Sequence, residues 1–352
     1  MRHAASVIAT LSLFVAWACP SIAAPAAAES VAAPAVVSQL ETVTVSGLQP
    51  GPGLWRVTHG ENEMWLLGTV SPYPKRMQWD TQLVDSIIAE SQEVITSASI
   101  NITSKMNIFR QMLLVPSLMK ARKNPGKEKL EAQVPAAMYA RWQVLAQRYL
   151  GRSRGTEKFR PIFAAQKLYE AALDEANLRN GNLVYPVASK SAKRHKVKFT
   201  APKVVVEVAD MKGLIKEFSN SSLDDRDCFD KTLTHVEHDL PTMAARANAW
   251  AVGDLDRLRA LPFTEQYGAC LSSLFDAPNL RKFGFDNLQE RRAAAWLEAA
   301  ESALKTNRST FAMLPMGELL KADGLAAALR AKGYQVEAPG EESPEAPASA
   351  SL

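Results

Sequence analysis

The run His235-Val236-Glu237-His238 sets two imidazoles three positions apart, a spacing that puts both on one face of a helix. Joined by a third ligand they can bind a metal ion; otherwise they are part of an exposed helix face, which is the expectation here. Histidine is scarce: five residues in a chain of 352, at positions 3, 59, 195, 235 and 238. His59 falls beside a hairpin turn and His195 inside a basic run, both ordinary solvated places. The three cysteines offer a second chemistry. Cys19 lies in a leader-like segment, and removing it leaves Cys228 and Cys270, an even pair that bridges in an oxidising compartment. Closing a loop of about 42 residues is worth roughly 4 kcal/mol in the chain-entropy account. No close C-x-x-C spacing suggests redox catalysis, so the pair reads as a structural disulfide.

The chain that must position these groups is 47% hydrophobic and 22% charged, which supplies a core and excludes a disordered or fibrous protein. Lys+Arg 41 against Asp+Glu 37 gives +4, too small an excess to predict nucleic acid or an acidic membrane as partner. Arg2 and His3 precede an apolar stretch that ends at Pro20 and the small residues Ser21-Ile22-Ala23-Ala24. This is the pattern of a secretory signal over residues 1–23, cut after Ala23. Cys19 is a poor match to a lipoprotein attachment site, no later run is long enough to span a bilayer, and the expected location is periplasmic or secreted.

Residues 24–53 are rich in Ala, Pro, Val and Ser and read as a disordered linker; residues 338–352, of Pro, Glu, Ser and Ala, read as a disordered tail. Between them, residues 54–337 carry the fold. Strands are expected at 54–58 and 63–67 around a Gly60 turn, at 93–96, at 204–208 as a buried β-branched run, at 310–314 and at 334–336. Helical spacing follows Thr81, a candidate cap for Leu83, Val84, Ile87 and Ile88. It recurs over much of 101–151, with a basic loop at 120–129, then at 161–177, from Ser222, from Leu240 to Gly253, around Cys270, at 288–305 and at 323–332. Lys190, Lys193, Arg194, His195, Lys196, Lys198 and Lys203 form the densest basic cluster, read as an exposed edge, with an anionic glycan or lipid headgroup as the alternative. The fold class is α/β: a central mixed, largely parallel sheet surrounded by helices, with a helix-rich middle.

Gly53-Leu54-Trp55-Arg56-Val57, Met64-Trp65-Leu66-Leu67-Gly68-Thr69, Arg246-Ala247-Asn248-Ala249-Trp250 and the ending Asp323-Gly324-Leu325 through Gly333-Tyr334-Gln335-Val336 together resemble the TraB/GumN family, relatives of the Tiki proteins. The resemblance implies two G-x-x-H motifs at strand ends and a glutamate after the next strand, holding a divalent metal for peptide hydrolysis. This sequence departs at each. The first motif reads Gly68-Thr69-Val70-Ser71, the second Pro315-Met316-Gly317-Glu318, and the glutamate position falls at Thr96 or Ser97. One carboxylate and two hydroxyls do not replace two imidazoles for a borderline metal. No cofactor is therefore expected; the alternative is a hard cation held by Glu318, Ser71, Thr96 and waters.

The loop Ser71-Pro72-Tyr73-Pro74-Lys75-Arg76-Met77 is stiffened by two prolines and offers Lys75 and Arg76 to an anionic group. The leading expectation is a degenerate family member, a pseudoenzyme acting by binding an envelope ligand or protein. The alternative is a hydrolase, metalloprotease-like, with a rewired site using Glu318 and Ser71.

Overall fold

The computed structural model describes residues 47–151, 154–220, 225–262, 270 and 278–341. Its strands are β1 (Leu48–Gln49), β2 (Leu54–His59), β3 (Asn62–Thr69), β4 (Tyr73–Pro74), β5 (Gln78–Trp79), β6 (Glu93–Ile95), β7 (Ser99–Thr103), β8 (Leu178–Arg179), β9 (Lys198–Thr200), β10 (Lys203–Glu207), β11 (Ser309–Pro315) and β12 (Gln335–Glu337). The helices are α1 (Gln82–Glu90), α2 (Ile108–Met112), α3 (Val115–Ala121), α4 (Ala136–Tyr149), α5 (Pro161–Glu175), α6 (Tyr185–His195) and α7 (Met211–Asn220). They continue as α8 (Arg226–His238), α9 (Leu240–Ala251), α10 (Leu255–Ala260), α11 (Pro278–Arg281), α12 (Leu288–Thr306), α13 (Met316–Leu320) and α14 (Leu325–Ala331). The signal segment and most of the linker lie outside the described residues.

Six strands form the central sheet in the order β12-β2-β3-β11-β6-β9. β2 and β3 are the predicted hairpin, in register from Leu54 opposite Leu67 to His59 opposite Asn62. β12 adds antiparallel to β2, whereas β3, β11, β6 and β9 run parallel. The strand after α1 is therefore parallel to β3, as expected, but β11 lies between the two. β11 is buried from Thr310 to Leu314, the signature of a strand covered on both faces. Helices α1, α6, α9, α12 and α14 supply that cover, with Ile88, Ala188, Ala247, Trp296 and Leu329 in the core around the sheet.

The helix-rich middle has a core of its own. Trp142 of α4, Leu168 of α5, and Phe229 and Leu233 of α8 are buried together, the Trp142 and Phe229 rings 5.6 Å apart. Arg141 ties α4 to α8 by ion pairs to Glu237 at 2.6 Å and Asp230 at 2.5 Å. The disulfide Cys228–Cys270 fixes α8 to the segment that follows α10.

Several local expectations change. Thr81 makes no side-chain capping bond; the Asp80 carboxylate, one residue earlier, takes that place, its Oδ1 accepting from Gln82 N at 2.9 Å. The run 204–208 is not buried on both faces. β10 pairs only with β7, in a separate two-stranded sheet, and Val205 is 52% exposed. The start of 101–151 is strand, since Ser99–Thr103 is β7. The helix placed at Ser222 is described from Arg226; Ser222 itself lies outside the described residues.

Both domain edges extend further than composition suggests. Residues 47–53 are seated on the domain: β1 pairs in parallel with β5, and Gly51 N donates to Ala251 O at 2.9 Å. At the other end Ala338 is buried and its N–H donates to Glu341, which pairs with Arg259. These polar, proline-rich segments hold no core of their own, yet backbone hydrogen bonds and one small side chain are enough to attach them.

Candidate functional site

Three parallel strands end side by side. β3 stops at Thr69, β11 at Pro315 and β6 at Ile95, with Pro315 in register with Thr69 and Ala312 with Ile95. Ser71, Glu318 and Thr96 follow those ends, so the topology brings all three to the carboxyl edge of the sheet. That edge is where open α/β sheets place their ligands.

Packing beneath the edge is tight. A Cβ built on Gly68 would lie 2.4 Å from Met316 Cε and 3.1 Å from Leu319 Cδ1, so these two side-chain ends of α13 occupy the space a larger residue would take. Gly324 is the stricter position, since its missing Cβ would meet the backbone carbonyl oxygen of Glu318 at 2.3 Å. Trp250, fully buried on α9, donates its indole N–H to Gly68 O at 2.6 Å and meets Trp79 edge-on at 5.4 Å. The sequence places Trp250 in a helical pattern and in the family resemblance, with no sign of its partner. Its reach to the strand end comes from tertiary packing.

The three candidate residues each have local partners. Ser71 is exposed, and its Oγ accepts from Gly181 N at 3.3 Å. Thr96 is buried and donates from Oγ1 to Ser97 O at 3.2 Å, while Ser97 Oγ donates to Met313 O at 3.2 Å. The Glu318 carboxylate accepts from Lys321 Nζ at 3.1 Å, one turn along the chain. Among the described residues no hydrogen bond joins any two of Ser71, Thr96 and Glu318, and no group of three or more His, Cys, Asp or Glu is placed to hold a metal ion.

Two hydroxyls and one lysine-paired carboxylate are a poor donor set for a borderline divalent ion, which favours imidazole and thiolate. The residues present do not fit the metal that the resemblance implies.

The loop beside this edge is held firmly. Tyr73 and Pro74 pair with Arg179 and Leu178, and the Arg179 guanidinium stands 5.0 Å from the Tyr73 ring. Lys75 is ion-paired with the Asp174 carboxylate and also donates to Asp174 O at 3.2 Å. Arg76 is exposed and makes no ion pair among the described residues. The loop thus spends one of its two cations on its own anchorage and presents the other.

The histidine pair is split by burial. His238 is exposed, whereas His235 is buried, with its Nδ1 set against the Asp239 carboxylate one turn on. The expected exposed face therefore holds for only one of the two, because His235 shares the inner face of α8 with Cys228, Thr232 and Val236. Burial holds His235 below its ordinary pKa, against the upward pull of Asp239. Nearby, burial also lowers Arg246 and pushes Tyr169 up to about 12. Glu237 is engaged by Arg141, so the run contributes to helix packing and not to a ligand set.

The TraB/PrgY/gumN family profile matches residues 53–338. The chain belongs to this family. The match spans the whole central sheet, from β2 to β12, and all three strand ends at the candidate edge. No curated protein and no solved structure matches the chain.

Proposed function

We propose that this TraB/PrgY/gumN-family protein is exported and works by binding in the cell envelope, with the sheet edge kept as a scaffold and not as a metallohydrolase centre. The observation that carries this reading is the occupancy of the three strand ends. Ser71, Thr96 and Glu318 stand there, and each is engaged with its own surroundings and not with the others. Arg76, on a loop anchored by the Lys75–Asp174 pair, is the group presented to an anionic ligand. The leader pattern of residues 1–23 and the Cys228–Cys270 bridge support export into an oxidising compartment.

The test is elemental analysis of the purified mature protein, starting at Ala24, together with a peptide-hydrolysis assay with and without chelator. The expected result is no stoichiometric metal and no chelator-sensitive hydrolysis. Stoichiometric metal that disappears in Ser71→Ala or Glu318→Ala, with hydrolysis lost alongside, overturns the binding reading in favour of a rewired hydrolase.

A further inference from the structure

The segment 107–121 reads Asn-Ile-Phe-Arg-Gln-Met-Leu-Leu-Val-Pro-Ser-Leu-Met-Lys-Ala and folds as the short helices α2 and α3. Its apolar content matches that of a buried helix, yet only Leu114 and Ala121 are buried, against Ile215 of α7. Ile108, Phe109, Met112, Leu113, Val115, Leu118 and Met119 are exposed, Phe109 at 75% and Leu113 at 77%. These seven are half of the large apolar side chains exposed among the described residues. Single exposed apolar residues are ordinary, but a cluster on one hairpin marks an interaction surface.

The same hairpin forms a wall of a cleft of about 1940 Å³. Eight lysine and arginine side chains line the cleft, among them Arg110 and Lys120 of the hairpin, Lys123 and Lys127 of the following loop, and Lys212 and Lys216 of α7. None of the eight makes an ion pair with a described residue. The one carboxylate among the lining residues, Glu157, is taken by Tyr139 OH at 3.2 Å and Trp142 Nε1 at 3.1 Å. By contrast, the denser run at 190–203 is partly neutralised: Arg194 and His195 face Asp85, and Lys198 pairs with Glu93. The small net charge of the chain hides this uneven placement.

We propose that the α2–α3 hairpin and the cationic cleft it walls are a docking site for an anionic phospholipid surface. The exposed Phe, Met and Leu side chains enter the acyl boundary, and the lysines meet the lipid phosphates. Apolar bulk beside a lysine-rich face is the arrangement of an interfacial helix, where area burial and attraction to anionic lipid act together. A nucleic acid would satisfy the lysines but leave the aliphatic side chains in water. A neutral protein partner would cover the apolar face but leave eight like charges uncompensated. The site is separate from the sheet edge, so its test stands whatever metal analysis shows.

The experiment is co-sedimentation of the mature protein with phosphatidylcholine vesicles, with and without phosphatidylglycerol, across a salt series. Binding is expected with phosphatidylglycerol, to weaken as salt shortens the screening length, and to be at least about tenfold weaker on phosphatidylcholine alone. Lys120→Gln/Lys123→Gln/Lys216→Gln should weaken it about a hundredfold, at about fivefold per charge. Phe109→Ser/Met112→Ser/Leu113→Ser should abolish vesicle binding while leaving the circular dichroism spectrum unchanged, since all three side chains are exposed. A Phe109→Trp reporter should be quenched by brominated phosphatidylglycerol. Equal binding to both vesicle types, or binding that survives the triple serine variant as a purely polyanion-driven attraction shared with inorganic phosphate, overturns the proposal. So does failure to bind vesicles in a protein whose self-association the triple serine variant removes.

Discussion

The hydrogen bond from Trp250 to Gly68 O is the tightest polar contact beneath the candidate edge, and Trp250→Phe isolates it. Both groups are buried, so removing the indole N–H leaves a carbonyl that water does not reach. An orphaned buried acceptor costs about 1–3 kcal/mol. The smaller ring also leaves a void of roughly 40 Å³, worth about 1 kcal/mol at ~24 cal/mol per Å³. The expected loss is therefore about 2–4 kcal/mol, a large share of the ~5–15 kcal/mol that ordinarily separates folded from unfolded chains. Trp79→Phe is the control. Trp79 is also buried and forms the other half of the ring pair, but its indole N–H bonds no described residue. It should lose only the void contribution, about 1 kcal/mol. Urea unfolding followed by circular dichroism reads both variants as shifts of midpoint at constant slope. Equal losses in the two variants, or a loss under about 0.5 kcal/mol for Trp250→Phe, would refute the assignment of the energy to this hydrogen bond.

Further outcomes are expected elsewhere in the fold. Replacing Cys228 and Cys270 by alanine opens the 42-residue loop and should cost about 4 kcal/mol, measured by the same unfolding titration with the wild type under non-reducing conditions. Full retention of stability would show that the bridge constrains nothing. His235, held below its ordinary value of 6.5 by burial, contributes stability that is complete above that value and is lost as pH falls through the lower native pKa. Unfolding free energy should therefore decline with acidification below about pH 6.5, and His235→Gln should flatten that limb. An unchanged slope in the variant would place the titration on another group.

The elements most legible in the sequence are those whose neighbours repeat their pattern. The β2–β3 hairpin shows a turn glycine between two apolar runs, and α9 shows helical spacing stopped at Gly253. The three edge positions follow from matching strand ends to the family pattern, and the parallel ladder carries them to one side. What stays hidden depends on a partner distant in sequence. Val205 looks as buried as Val204 and Val206 because all three are β-branched, but only the face of β10 that carries Val204 and Val206 is covered. His235 carried a readable signal: Cys228, Thr232, His235 and Val236 recur at helical spacing on the inner face of α8. The cationic cleft gave none, because its lysines come from stretches between 110 and 216 and only the fold assembles them. For the α2–α3 hairpin, spacing predicts an amphipathic helix without saying whether protein or another phase receives its apolar face.

The position of β11 has a bearing on when the protein acquires its shape. This strand hydrogen-bonds to β3 on one side and β6 on the other, yet it is the next-to-last strand to leave the ribosome. Until Ser309–Pro315 emerges, the β2–β3 hairpin and the β6–β9 pair have no bridge between them, and the helices that cover both halves have no continuous floor. Such long-range pairing makes folding slow to begin and dependent on a nearly complete chain. Truncations that stop before Ser309 should remain as unassembled halves. The proposed export route would exploit that delay, because a chain not yet closed by β11 is still open enough to be threaded through a channel.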